Sequence, residues 1–252
     1  MNHYSNAPEG EWAAITRSLV TDHSLPLENI KKLVLQSWSN VWKIGCKTDN
    51  FSINFRELGF PAQVVSSCFE SILLKALSEQ YPDTWRSGGA HEKDAHNLEN
   101  DAMSFELKMS GQLGFKVFGN RSYAYAADEK NNAKIKKSRN GYYLIVNYFE
   151  EHITLIRFGW IDAQDWEAQK SQSGQMARLL PHVYDHKLIT IDGKYRLNAP
   201  VALVMGVGQK AASTLNNLGI FTVEDLLRCD SNSKALISQR KAAFSEYGHL
   251  LD

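Results

Sequence analysis

The 252-residue sequence is 43% hydrophobic, enough to bury one substantial core and a small second domain. Lysine plus arginine and aspartate plus glutamate both total 28, so net charge neither demands nor excludes a nucleic-acid partner. No stretch approaches the roughly 18 to 20 uncharged apolar residues that span a bilayer, and the start MNHYSNAPEG has no basic region leading into an apolar one; neither a membrane span nor export is expected. Cys46, Cys68 and Cys229 are far apart and form no Cys-x-x-Cys pair, which argues against a disulfide framework or a zinc site and suits a reducing cytoplasm.

In chain order, helical signals come first. Pro8 to Val20 reads as a short helix, and Ser24 before Pro26 reads as the N-cap of a helix carrying Leu27, Ile30, Leu33, Val34, Trp38 and Val41. A third helix starts near Pro61. Its apolar positions Val64, Val65, Cys68, Phe69, Ile72, Leu73, Ala76 and Leu77 keep the i, i+3, i+4 rhythm until Tyr81-Pro82, and this face should lie against a sheet. Strand signals follow at Met103 to Met109, Gly114 to Phe118, Tyr142 to Phe149 and Ile153 to Trp160. A helix is expected over Ala163 to Leu180, then a hairpin of 187–191 and 194–197 about an Asp192-Gly193 turn. Helix, several strands, then helix predicts an α/β or α+β core, a mixed central sheet flanked by helices. From Asn198 the composition shifts to small residues and glycines, which places a boundary between residues 1–197 and a small helical module over 198–252.

Charge is unevenly distributed. Glu79 to Asp101 holds six acids against Arg86 and Lys93, whereas Phe105 to Gly141 holds eight bases against three acids, with Lys130, Lys134, Lys136, Lys137 and Arg139 closely spaced. An acidic pocket beside a basic strip suits a metal ion next to a phosphate backbone, and two solvated loops are the alternative.

Acid-x-lysine triplets occur four times, so the pattern alone decides nothing. Asp128-Glu129-Lys130 lies in a charged run, Asp192-Gly193-Lys194 in the expected hairpin turn, and Asp185-His186-Lys187 ahead of a strand. Only Glu106-Leu107-Lys108 lies inside an apolar strand run. Alternation then points Glu106 and Lys108 to one face and Phe105 and Leu107 to the other. Asp94 precedes Glu106 by enough residues for a strand, a turn at Glu99-Asn100 and a return, while Asp101, the rival acid, sits in that turn. Two carboxylates and the Leu107 carbonyl are hard oxygen donors of the kind Mg²⁺ accepts. Such an ion polarises a phosphodiester, with Lys108 placed to orient water and stabilise developing charge. The competing reading is a solvent-facing ion pair on an ordinary strand. His91 and His96, which flank this stretch, read as neighbouring or solvated groups and not as ligands.

Asp94 with Glu106-Leu107-Lys108, behind an amphipathic helix, resembles the PD-(D/E)xK nuclease superfamily that includes most type II restriction endonucleases. Lys93 stands where that superfamily places a proline. Ser104 to Ser110, Gly119 to Ala124, Gly141 to Leu144 and Arg157 to Asp162 are similar to restriction enzymes of the ScaI type, within a likeness running over about Trp85 to Leu180. The resemblance implies a nuclease core over 1–197, an Mg²⁺ cofactor, a homodimer cutting both strands of duplex DNA at a short palindromic site, and Glu70 on the preceding helix as an additional acid.

Met205-Gly206-Val207-Gly208-Gln209-Lys210, with Ala211 to Ile220 and Thr222 to Leu227 behind it, resembles a helix-hairpin-helix module. Two glycines around an apolar residue allow a tight turn with main-chain N–H groups at a helix N-terminus, an anion site to which Lys210 adds charge, and a side chain at Gly208 is expected to obstruct close approach and any positive φ. Pro200 and the short run Ala199 to Val204 leave little room for the first helix, so a purely structural role is the alternative. Two other functions compete with restriction: a repair or recombination nuclease reading only backbone, and a non-catalytic DNA-binding protein.

Overall fold

The computed structural model describes residues 3–120, 123, 138–169, 176–230 and 234–251. Among them the chain forms two compact units: Met1–Ser110, Lys116–Val146 and Ile156–Ile191 in the first, Gly111–Phe115, Asn147–Leu155 and Asp192–Asp252 in the second.

The first unit opens with helices α1 (Trp12–Thr21) and α2 (Leu27–Val41), an exposed hairpin of β1 (Gly45–Thr48) and β2 (Phe51–Asn54), and the long helix α3 (Ala62–Gln80). Ile30, Leu33, Val34, Trp38 and Val41 of α2 are buried at helical spacing, as are Val65, Phe69, Leu73 and Leu77 of α3, and Trp38 meets Phe69 edge-on at 5.7 Å. Each such side chain contributes roughly 1.5 to 3 kcal/mol on burial. The expected N-cap at Ser24 is not made: Pro26 precedes α2 with no side-chain cap, and Ser24 instead receives a hydrogen bond from Asn97 Nδ2 at 3.2 Å. Proline already fixes the extended backbone that leads into a helix, so the cap is dispensable.

Behind α3 lies a six-stranded mixed sheet built from β3 (Trp85–Ser87), β4 (Ala95–Asn97), β5 (Phe105–Ser110), β7 (Gly141–Phe149), β8 (His152–Ile161) and β11 (Leu188–Thr190), in the order β11-β8-β7-β5-β4-β3. The mixed α/β architecture expected from the sequence is therefore present, with α3 packed on β3 and β5. Strands β3, β4 and β5 run antiparallel in succession, with Ala95 opposite Phe105. That register sets Asp94 opposite Glu106. A smaller antiparallel sheet, β6 (Phe118–Asn120), β10 (Met176–Leu179) and β9 (Trp166–Ala168), is laid out with β10 in the middle. Its buried side chains Trp166, Ala177 and Leu179 share one cluster with the flanking Val117 and Tyr123 and with Tyr143 and Ile145.

Among the described residues three expected elements are not found, the first being the strand over Gly114 to Phe118, of which only Phe118 lies in a strand, β6. In place of a helix over Ala163 to Leu180 there is one 3-10 turn, Ala163–Asp165, capped by Asp162 and Asp165, followed by β9 and β10. Arg178 closes on Glu167 across those strands at 2.8 Å, and pairing between distant residues outweighs the local helical pattern. The hairpin about Asp192-Gly193 is also absent. Ile189 pairs with Phe158 of β8, while Lys194–Asn198 is a 3-10 helix in which Arg196 reaches back to Asp192 and stacks on Tyr247 at 4.7 Å.

The second unit has its own core of Leu197, Val201, Val207, Leu215, Val223, Leu226 and Tyr247. Its helices are α4 (Gln209–Asn217), α5 (Val223–Arg228) and α6 (Lys234–Tyr247), preceded by a 3-10 turn at Val201–Leu203. No helix among the described residues is long and apolar enough to cross a membrane.

Candidate active site

Strand β5 carries the triplet and β4 brings the first acid to it. The main-chain N–H of Leu107 donates to Asp94 Oδ2 at 2.9 Å. On the same strand Lys108 Nζ stands 3.0 Å from both Glu106 Oε1 and the Leu107 carbonyl oxygen. Phe105, between the other faces, packs at 5.4 Å on Trp85 and 5.9 Å on Phe158, so the alternation read from the sequence holds.

Burial separates this pair from an ordinary surface one. Glu106 is 4% exposed, and Lys108 keeps only 16% of its side chain in solvent. Ionised groups are seldom buried to this degree, because desolvation opposes the gain from pairing. Asp101, by contrast, sits in a 3-10 turn with its side chain mostly exposed, 3.2 Å from His96 Nδ1. His96 also approaches Glu92, 3.7 Å away, so it faces carboxylates of the neighbouring turn and not the triplet.

The donor set suits a small hard cation. Among the described residues no three His, Cys, Asp or Glu side chains cluster as a metal site. The candidate donors are two carboxylates and one peptide carbonyl, and two of these three oxygen sources already converge on a single cationic nitrogen, Lys108 Nζ. Mg²⁺, which retains several waters, needs only one or two carboxylates from the protein.

The ScaI restriction endonuclease family matches residues 2–192, and the type II restriction enzyme ScaI of Streptomyces caespitosus is 30% identical over 190 residues, 72% of this chain and 80% of that enzyme. The chain belongs to the ScaI restriction endonuclease family. No solved structure matches. As a family member it is a type II restriction endonuclease, a site-specific deoxyribonuclease, and the matched span contains Asp94, Glu106 and Lys108.

The remaining candidates of this family member fall in several places. Glu70 is half-buried on α3, the helix packed against β5. Arg139 belongs to the basic strip, and its guanidinium lies 3.7 Å over the ring of Tyr123; Lys134, Lys136 and Lys137 lie outside the described residues. Gly206 and Gly208 are exposed on the turn leading into α4, and Lys210 is exposed in its first turn. Only Gly206 has a positive φ there, +80°, whereas Gly208 is extended, with φ −75° and ψ 171°. The positive φ of this turn is thus at Gly206, which leaves close approach of a ligand as the reason for a glycine at 208. The Asp185-His186-Lys187 triplet lies in a π-helical turn, Val183–Lys187, where Lys187 is fully buried and bonded to Asp162 at 2.9 Å and Asp165 at 2.8 Å. The cluster therefore joins Lys187 to Asp162 and Asp165 and not to Asp185 of its own triplet.

Two residues acquire roles that the sequence did not disclose. Lys93, in the position of the superfamily's proline, is buried; its Nζ donates to the Ser138 carbonyl at 3.1 Å and lies 4.8 Å from the Tyr143 ring centre. Gly141, whose φ of +143° disfavours any L side chain, lies beside it: a Cβ there would meet the Lys93 Cε and Nζ at 2.9 Å. Tyr123 donates its hydroxyl proton to Glu106 Oε1 at 2.7 Å. Burial, and then the Glu106 charge, push the Tyr123 phenol far above its ordinary range, so it remains a donor.

Proposed function

We propose that this restriction endonuclease hydrolyses both strands of duplex DNA at a short palindromic site, as a homodimer, with Mg²⁺ held by Asp94, Glu106 and the Leu107 carbonyl. The observation that carries this reading is the join between β4 and β5: the Asp94 carboxylate is fixed on the Leu107 N–H, beside a buried carboxylate and a carbonyl that face one cation.

Bound there, the metal supplies Lewis-acid polarisation of the scissile phosphate. Asp94 and Glu106 would supply the carboxylate oxygens; one oxygen of each accepts a hydrogen bond, Asp94 Oδ2 from the Leu107 N–H and Glu106 Oε1 from the Tyr123 hydroxyl. Lys108 brings a positive charge beside them, where it orients the attacking water and stabilises charge developing on the phosphate. Glu70, on the helix behind the strand, is proposed as the additional acid. DNA is held by phosphate contacts from Lys134, Lys136, Lys137 and Arg139, and from the 198–252 module through Gly206, Gly208 and Lys210. Cys46, Cys68 and Cys229 are free thiols, which suits a reducing cytoplasm.

The test is incubation of purified protein with phage DNA and Mg²⁺, followed by sequencing of the ends. A ladder of discrete fragments with identical termini is expected. Random degradation, cleavage confined to branched DNA, or binding without cleavage would overturn the reading.

A further inference from the structure

Glu106 is held from outside its own strand. The Tyr123 hydroxyl donates to Glu106 Oε1 at 2.7 Å, and Lys108 Nζ reaches the same oxygen at 3.0 Å. Two donors on one carboxylate oxygen restrict rotation about the Cγ–Cδ bond and so set the plane in which the carboxylate presents itself.

The Tyr123 ring is itself contacted by three side chains. The Arg139 guanidinium lies 3.7 Å from its centre, Lys108 Nζ 5.1 Å, and the Trp166 ring 4.7 Å. Gly119 makes room for it, since a Cβ there would come within 3.1 Å of both Tyr123 Cγ and Trp166 Cζ3. Arg139 is anchored in turn by its own carbonyl, which accepts from the Tyr143 hydroxyl at 2.8 Å. A ring so enclosed delivers its hydroxyl to one place.

We propose that Tyr123 is a positioning residue of the nuclease site, aiming the Glu106 carboxylate at the metal, with Arg139 holding the Tyr123 ring in register. The proposal rests on Glu106 being a metal-holding acid. It gives Arg139 a duty inside the site, in addition to any phosphate contact. Apolar packing alone does not require the hydroxyl: phenylalanine would fill the same volume beside Trp166 and Tyr143. What the hydroxyl adds is a neutral donor to a buried carboxylate, an interaction whose loss alters where the charge points and how tightly a cation is held.

The test is Tyr123→Phe, which removes one oxygen atom. Ca²⁺ binding to the protein is measured by calorimetry, the Mg²⁺ concentration giving half-maximal cleavage of phage DNA is measured separately, and thermal melting is recorded alongside. The expected result is a rise of about tenfold in both metal constants, the scale of one hydrogen bond to a charged group, with metal-free DNA affinity unchanged. In a Glu106→Gln background the same substitution is expected to add nothing to the loss of Ca²⁺ binding, because the two residues act as one unit. Arg139→Gln, which leaves the hydroxyl in place, is expected to give a smaller rise in the same direction and keeps the proposal testable if Tyr123→Phe folds poorly. If Glu106→Gln abolishes metal binding and cleavage while Tyr123→Phe and Arg139→Gln change neither metal constant, the positioning role is wrong and the site stands. A lowered melting temperature with unchanged metal constants assigns Tyr123 to packing and also overturns it. If Glu106→Gln leaves metal binding and cleavage intact, the site itself is misplaced, and Tyr123 falls with it.

Discussion

Asp94 Oδ2 accepts the main-chain N–H of Leu107 at 2.9 Å, so the first acid is bonded to the middle residue of the triplet that carries the second. One side chain therefore has two duties that substitution can separate. Asp94→Ala removes the acceptor as well as the charge and is expected to cost about 1 to 3 kcal/mol of folding stability in addition to cleavage. Asp94→Asn keeps an oxygen for the Leu107 N–H; it is expected to unfold near the wild-type denaturant midpoint and still fail to cleave. Denaturant titration with a plasmid-cleavage assay on both variants distinguishes these outcomes, and an active Asp94→Asn would show that the carboxylate charge is not needed.

Metal dependence follows from the donor types. Mg²⁺ or Mn²⁺ is expected to support cleavage, whereas Ca²⁺, which prefers more ligands and looser geometry, is expected to support DNA binding without turnover. Chelation should stop the reaction and readdition of Mg²⁺ restore it. Full cleavage in chelator would remove the metal from the mechanism.

Lys187 offers a contrast with Lys108. Both end an acid-x-lysine triplet, but Lys187 is wholly enclosed with Asp162 and Asp165, its ammonium 4.1 Å from the Tyr4 ring centre and 4.7 Å from that of Trp12. Lys187→Ala leaves two buried carboxylates without their cation and is expected to lower stability by roughly 3 to 5 kcal/mol. Lys108→Ala is expected to abolish cleavage while DNA binding persists. Melting curves and cleavage assays on the two variants make the comparison. A Lys187→Ala protein that melts like wild type but cannot cleave would move the active site to the wrong triplet.

What was legible in the sequence was what local periodicity encodes. The α3 stripe ending at Leu77 and the alternation that sets Glu106 and Lys108 opposite Phe105 each depend on neighbours a few residues apart, and the return from Asp94 spans only one turn between adjacent strands. The failures were non-local. Trp166 to Ala168 and Met176 to Leu179 become strands because they pair with each other, and Met176 to Leu179 pairs also with Phe118 to Asn120, a partnership that no window of the sequence displays. Leu188 to Thr190 joins β8 and not the residues after Gly193 for the same reason. Tyr123 stands 17 residues beyond Glu106, past a glycine-rich stretch, and could be read as a loop aromatic until the fold set its hydroxyl on the carboxylate.

The hairpin before α4 can be tested with three single substitutions, because its two glycines differ in backbone conformation. Gly206 has φ +80°, a region that costs an L-residue roughly 1 to 2 kcal/mol, so Gly206→Ala is expected to lower the melting temperature whether or not DNA is bound. Gly208 is extended, and a Cβ built on it meets nothing within 4 Å, so Gly208→Ala should fold as well as wild type. A loss of DNA affinity in Gly208→Ala can then come only from obstructing a ligand that approaches the main chain, as a phosphate does at a helix N-terminus. Lys210→Ala completes the set. It is expected to weaken all duplexes about equally, and to reduce the slope of log affinity against log salt by about 0.9, the contribution of one phosphate contact. Fluorescence anisotropy at several salt concentrations, with cognate and unrelated duplexes, measures both quantities. If Gly208→Ala and Lys210→Ala leave affinity and slope unchanged, the hairpin is a packing element of the C-terminal unit, and the duplex is held elsewhere.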